Sequence, residues 1–80
     1  MPLIQISVPE GSLDAARKAE MIRLVTDAAV TAEGIPAARA YTWVHINEVP
    51  DGGWGMAGNA ITLAQMQAAA AAAAAKAAAE

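Results

Sequence analysis

Two short segments in which apolar and polar residues alternate flank a single stretch of helical periodicity, and that order leaves the chain few ways to fold. In residues 2–8, Ile4, Ile6 and Val8 fall on one side and Leu3, Gln5 and Ser7 on the other, the period of a half-buried strand. Residues 41–49 repeat the pattern, with Thr42, Val44 and Ile46 opposed to Tyr41, Trp43, His45 and Asn47. Between them Met21, Ile22, Val25, Ala28, Ala29 and Ala32 form one stripe at steps of three and four, and Arg17, Lys18, Glu20, Arg23 and Asp27 lie mostly off it.

The boundaries are marked as clearly as the periods. Pro9-Glu10-Gly11-Ser12 carries turn chemistry, and Ser12 or Asp14 is placed to cap a helix beginning near Leu13. Gly34 stands where a C-terminal cap is expected, and Pro36 forbids continuation. Two strands joined by a helix of about twenty residues read as a βαβ unit with parallel strands and a right-handed crossover. The expected class is therefore α/β: two parallel strands, one covering helix, a short hairpin or loop around Trp54-Gly55-Met56-Ala57-Gly58-Asn59, and an Ala-rich C-terminal helix. Residues 1–62 would form the domain and 63–80 a helical tail. Eleven of residues 68–79 are alanine, which favours a frayed helix with little to pack and no chemistry of its own.

One helix covers one face of a sheet. The other, bearing Tyr41, Trp43, His45 and Asn47, must be buried by another subunit or line a site. A chain of 80 residues buries a smaller share of its surface than a larger one, and without cysteine it has no disulfide to compensate. Self-association is the remaining route.

Five Lys/Arg against eight Asp/Glu give a net charge of −3 with no basic run, which argues against nucleic acid or an anionic membrane as partner. Gln65, Gln67 and Lys76 interrupt the alanine run, so it does not read as a membrane span, and no basic segment followed by an apolar one marks a signal peptide. A cytoplasmic protein is expected. Gly52-Gly53 is no phosphate loop, and no spacing of ligating residues suggests a metal, so neither cofactor nor metal is expected.

The chemistry rests on position 2. Removal of Met1 would turn the Pro2 nitrogen from an amide into a secondary amine, held by its ring at the start of a strand. An α-amino group ordinarily titrates a little above neutrality, and apolar burial or a nearby cation lowers it by disfavouring the charged form. The result is a base suited to removing a proton beside a carbonyl.

The opening Met-Pro-Leu-Ile-Gln-Ile, the Glu10-Gly11 turn, the two-stranded βαβ unit, Asn47-Glu48-Val49 and Trp54-Gly55-Met56-Ala57-Gly58 together resemble the 4-oxalocrotonate tautomerase family over about residues 2–60. The resemblance implies an amino-terminal proline, here Pro2, that moves a proton between positions of an enol or dienol acid. It also implies assembly as a hexamer or related oligomer whose sites draw on neighbouring chains, with Trp54 at the aromatic position that closes the apolar side of the site. The family's arginine after the Glu-Gly turn is replaced here by Ser12, and aligning on Asn47-Glu48-Val49 puts Trp43 at the place of a second arginine. Arg39, with its planar fork, and His45, the only histidine, are then the candidates to meet a carboxylate or a developing enolate. Trp43 and Tyr41 read as interface or core residues.

The function expected is keto-enol tautomerisation of a small enol or α-keto acid with an apolar or aromatic portion, Pro2 acting as general base. Two alternatives remain at this level. One is a hydratase or dehalogenase in which protonated Pro2 is the acid and Glu48 activates water; the other is a non-enzymatic oligomeric protein with a decayed site.

Overall fold

A computed structural model describes residues 2–79. In chain order these form β1 (Leu3–Pro9), α1 (Ala15–Glu33), a 3-10 helix (Pro36–Tyr41), β2 (Trp43–Val49), the short strands β3 (Gly55–Met56) and β4 (Asn59–Ala60), and α2 (Leu63–Ala79). β1 and β2 pair in parallel from Leu3 opposite Trp43 to Pro9 opposite Val49, so strand, helix and strand form the expected βαβ unit.

The ends of α1 follow from local chemistry. Its N-cap is Asp14 rather than Ser12: the Asp14 carboxylate accepts the Arg17 backbone N–H at 2.7 Å, while the Ser12 hydroxyl donates to the Pro9 carbonyl at 2.7 Å and belongs to the preceding turn. The helix accordingly starts two residues after Leu13. It stops at Gly34, whose φ of +72° is a left-handed conformation costly for any residue with a Cβ, and whose N–H closes on the Val30 carbonyl.

The second strand is shorter than its alternation suggests. Tyr41 and Thr42 do not belong to it, because the ladder begins at Leu3 opposite Trp43 and a strand residue needs a partner. Pro36 at the first position of a run rich in alanine starts a 3-10 helix instead, closed by Ala38 N–H on Ile35 and by the Thr42 hydroxyl on the Ala38 carbonyl.

Register sorts the two faces. Ile4, Ile6 and Val8 lie beside Val44 and Ile46 on the side that α1 covers, all of them half-buried. On α1, Met21, Val25, Ala29 and Val30 are half-buried, whereas Ile22, Ala28 and Ala32 of the anticipated stripe are exposed. Thr26 is the one buried residue among those described, its hydroxyl satisfied by the Ile22 carbonyl at 2.7 Å. No apolar side chain among the described residues is buried. The accessible surface of 5719 Å² compares with ~4,500 Å² from size scaling at 8.1 kDa. The radius of gyration of 16.0 Å compares with ~12 Å for a compact chain of this length. A single chain is therefore an open layer of sheet and helix with little interior.

β3 and β4 form the hairpin anticipated after β2, turning through Ala57 and Gly58, both at positive φ. α2 is a continuous helix, fixed at its first turn by a reciprocal pair: Thr62 Oγ1 accepts the Gln65 N–H and Gln65 Oε1 accepts the Thr62 N–H. The Asp51 carboxylate accepts the Leu63 N–H at 2.8 Å and ties that turn to the loop after β2. Among the described residues no helix is long and apolar enough to cross a membrane.

Replacing Asp14 by Ala removes the α1 cap and should cost about 1 kcal/mol. A lower thermal midpoint at fixed chain concentration, followed by circular dichroism, would register it; Ser12→Ala should cost less.

Candidate active site

Pro2 immediately precedes β1, is half-buried, and accepts the Trp43 backbone N–H on its carbonyl at 3.0 Å. Because the ring fixes φ and the carbonyl is anchored to β2, the position of the proline nitrogen is set by the sheet. Removal of Met1, which would free that nitrogen, lies outside the described residues.

The face of the sheet that α1 leaves open carries Leu3, Gln5 and Ser7 from β1 and Trp43, His45 and Asn47 from β2, all exposed. None of the six bears a permanent charge. His45 lies opposite Gln5, two residues beyond Trp43, about 7 Å along the strand. It is therefore on the open face and toward the end of the sheet where Pro2 stands.

Arg39 is placed differently. It sits in the 3-10 helix that leads into β2, and its guanidinium is paired with Asp27 of α1, which also meets Arg23 at 3.5 Å. Both partners are about half exposed, and an exposed pair is worth only ~0–1 kcal/mol, so the contact orients Arg39 without locking it away from an anion. Ser12, at the family's arginine position, has its hydroxyl engaged with Pro9.

Trp54 follows β2 at the other end of the strands and is half-buried, its carbonyl accepting the Ile61 N–H at 2.8 Å. It lines a concavity of 320 Å³ drawn from residues 52–60 alone. β1 and β2 each span seven residues, some 20 Å, so Pro2 and Trp54 stand at opposite ends of one sheet. One chain brings Pro2, Trp43 and His45 to a common end of the sheet, with Trp43 and His45 on the open face; it does not bring Trp54 to them.

Glu48 points to the helix side, where Lys18 Nζ donates to it at 3.2 Å. It is on the face opposite His45 and has a partner, which leaves it poorly placed to activate water beside Pro2. Among the described residues no cluster of His, Cys, Asp or Glu has the arrangement of a metal site.

The contact between Pro2 and Trp43 is the feature that reading the sequence misses. Alternation assigns each residue a face, but only the register between strands shows that position 43 lies beside position 3. The Thr62–Gln65 cap, by contrast, carries a T-x-x-Q signature in the sequence.

Comparison with known proteins places the chain in a family. The family model described as tautomerase enzyme matches residues 2–64. A 2-hydroxymuconate tautomerase of Comamonas testosteroni is 43% identical over 58 residues, covering 72% of this chain and 87% of that protein. A 2-hydroxymuconate tautomerase of Pseudomonas putida is 45% identical over 58 residues with the same coverage. No solved structure matches the chain.

The placement of Glu48 gives a direct expectation. Glu48→Gln should leave the rate of enol-acid ketonisation within about twofold, since an exposed ion pair on the far face contributes little. A loss of a hundredfold or more in steady-state turnover would instead put Glu48 in the chemistry.

Proposed function

The chain belongs to the tautomerase family, and from that premise we propose that Pro2 is the general base of its reaction, acting on a small enol or α-keto acid. Tautomerase activity comes with the family; the assignment of roles to residues is our reading. It is carried by one observation: Pro2 is pinned by the Trp43 N–H at the end of a sheet whose neighbouring face is open and uncharged.

The neutral amine takes the proton of the enol hydroxyl, and the electron pair released delocalises over the conjugated system as an enolate. The pyrrolidinium so formed returns the proton to a carbon of that system, which leaves a ketone and restores the base. The same proton leaves and re-enters, so no redox partner or cofactor is required. Apolar cover of that face by a neighbouring subunit would favour the neutral amine over the ammonium. The enolate oxygen needs a donor, and His45 on the open face and Arg39 at the entrance to β2 are the groups we assign to it and to the substrate carboxylate. 2-Hydroxymuconate, named for both relatives, is a dienol acid of the right class.

Trp54 enters the site from a neighbouring subunit in this reading, because within its own chain it lies at the far end of the sheet. The same reading makes the working form a homohexamer or related oligomer. Its support is physical: Leu24 and Met56 are half exposed or more, and the chain has about 1,200 Å² of surface in excess of size scaling, where a standard interface removes ~800 Å² per partner. Residues 1–62 then form the catalytic domain and 63–80 a helical tail, and the enzyme works in the cytoplasm.

The test follows ketonisation of 2-hydroxymuconate and of phenylenolpyruvate by ultraviolet absorbance, on protein whose intact mass shows that Met1 is absent. Pro2→Ala should lower kcat by at least about a hundredfold, the usual scale of a general base. Wild-type kcat/KM should fall on acidification as the amine becomes protonated. Equal rates for wild type and Pro2→Ala would overturn the assignment.

A further inference from the structure

Trp43 is the residue whose backbone holds Pro2, and its side chain lies on the open face at the same end of the sheet. The indole is 57% exposed, and Leu3, directly opposite in the ladder, is 53% exposed. A solvent-facing apolar pair beside the proposed base is an unfavourable arrangement unless something covers it.

The charges around the sheet narrow what that can be. Lys18 is held by Glu48 on the covered face, Arg23 by Glu20 and Asp27, and Arg39 by Asp27. Lys76 lies near the far end of α2, and Arg17 is in the first turn of α1. The open face itself offers only the amides of Gln5 and Asn47, the hydroxyl of Ser7, the imidazole of His45, and the apolar surface of Leu3 and Trp43. A substrate with two carboxylates would bring two full charges to a face with no fixed cation. One with a single carboxylate and a planar apolar group would match it, since His45 on that face can meet the carboxylate while the planar group stacks on the indole.

We propose that Trp43 is a substrate-contacting, specificity-determining residue that stacks on the planar or aromatic part of a monocarboxylate enol acid and so favours such acids over dicarboxylates. The proposal rests on the reading of Pro2 as base. It assigns a substrate role to a residue that the sequence pattern reads as interface or core. Its chemistry is that of the proposed reaction and adds no step to it: stacking lowers the energy of the bound enol and enolate alike, so the effect falls mainly on KM.

The experiment measures kcat and KM of the full chain, with Pro2 confirmed as its first residue, for phenylenolpyruvate and 2-hydroxymuconate. The wild type should prefer phenylenolpyruvate in kcat/KM. Trp43→Ala should lower kcat/KM for phenylenolpyruvate about tenfold, the scale of one lost aromatic contact with its buried area, mainly through KM. For 2-hydroxymuconate the same variant should stay within about twofold, and Trp43→Phe should recover most of the loss for the aryl substrate. Equal effects of Trp43→Ala on both substrates, no effect on either, or a wild-type preference for the dicarboxylate would overturn the proposal.

Native mass and circular dichroism report whether Trp43→Ala still assembles. Should it not, the wild-type backbone answers by another route. The chain has two tryptophans, so Trp54→Phe leaves Trp43 as the sole indole emitter. Cinnamate should quench its emission saturably and muconate should not; absence of quenching by cinnamate, or equal quenching by both, would refute the contact. Pro2→Ala separates the two claims. Full turnover in that variant removes the base assignment while the quenching result still stands or falls by itself, and an inactive Pro2→Ala beside an unaltered Trp43→Ala removes only the role of Trp43.

Discussion

The parallel ladder between β1 and β2 is the constraint from which the other features follow. Parallel strands require a crossover, the crossover is α1, and a single helix covers a single face. The ladder starts at Leu3 opposite Trp43, and its first outer hydrogen bond, from the Trp43 N–H to the Pro2 carbonyl, fixes the amino terminus against the second strand. A residue as near the start of a chain as Pro2 would ordinarily sit on its most mobile part. Here it sits on the edge of a sheet, and its surroundings are those of β2.

The same constraint explains why one chain is incomplete. With one layer of helix on one layer of two strands, even Ile4, Ile6, Val44 and Ile46 remain only half-buried, and Thr26 is the most enclosed residue described. An 80-residue chain has few other resources, having no cysteine and ending in alanines that bury little area per residue. Leu3, Leu24, Trp43 and Met56 accordingly stay half exposed or more. Pro2 and Trp54 stand at opposite ends of that same sheet.

Charge is distributed with a corresponding division. The ion pairs of Lys18 with Glu48 and of Arg23 and Arg39 with Asp27 lie on or beside α1, while the open face near Pro2 carries polar and apolar groups without a fixed ion.

Much of the fold was legible in the sequence because it is set by short-range rules: period two in the strands, period 3.6 in the helix, a cap at each helix end and glycine where the backbone turns left-handed. Where those rules left a choice, tertiary structure made it. Ser12 and Asp14 were equivalent as caps until the Ser12 hydroxyl closed the preceding turn, and Tyr41 kept strand alternation yet found no partner because β1 begins at Leu3. Pro2 as a candidate base, His45 on the outer face and Glu48 on the opposite one all follow from position and parity within a single strand. That Trp43 stands beside Pro2, that Arg39 is tied to Asp27, and that Trp54 lies a sheet's length away depend on register and on contacts between distant segments. Alternation fixes which face a residue takes, but not which residue of another strand it meets, and that pairing decides the site.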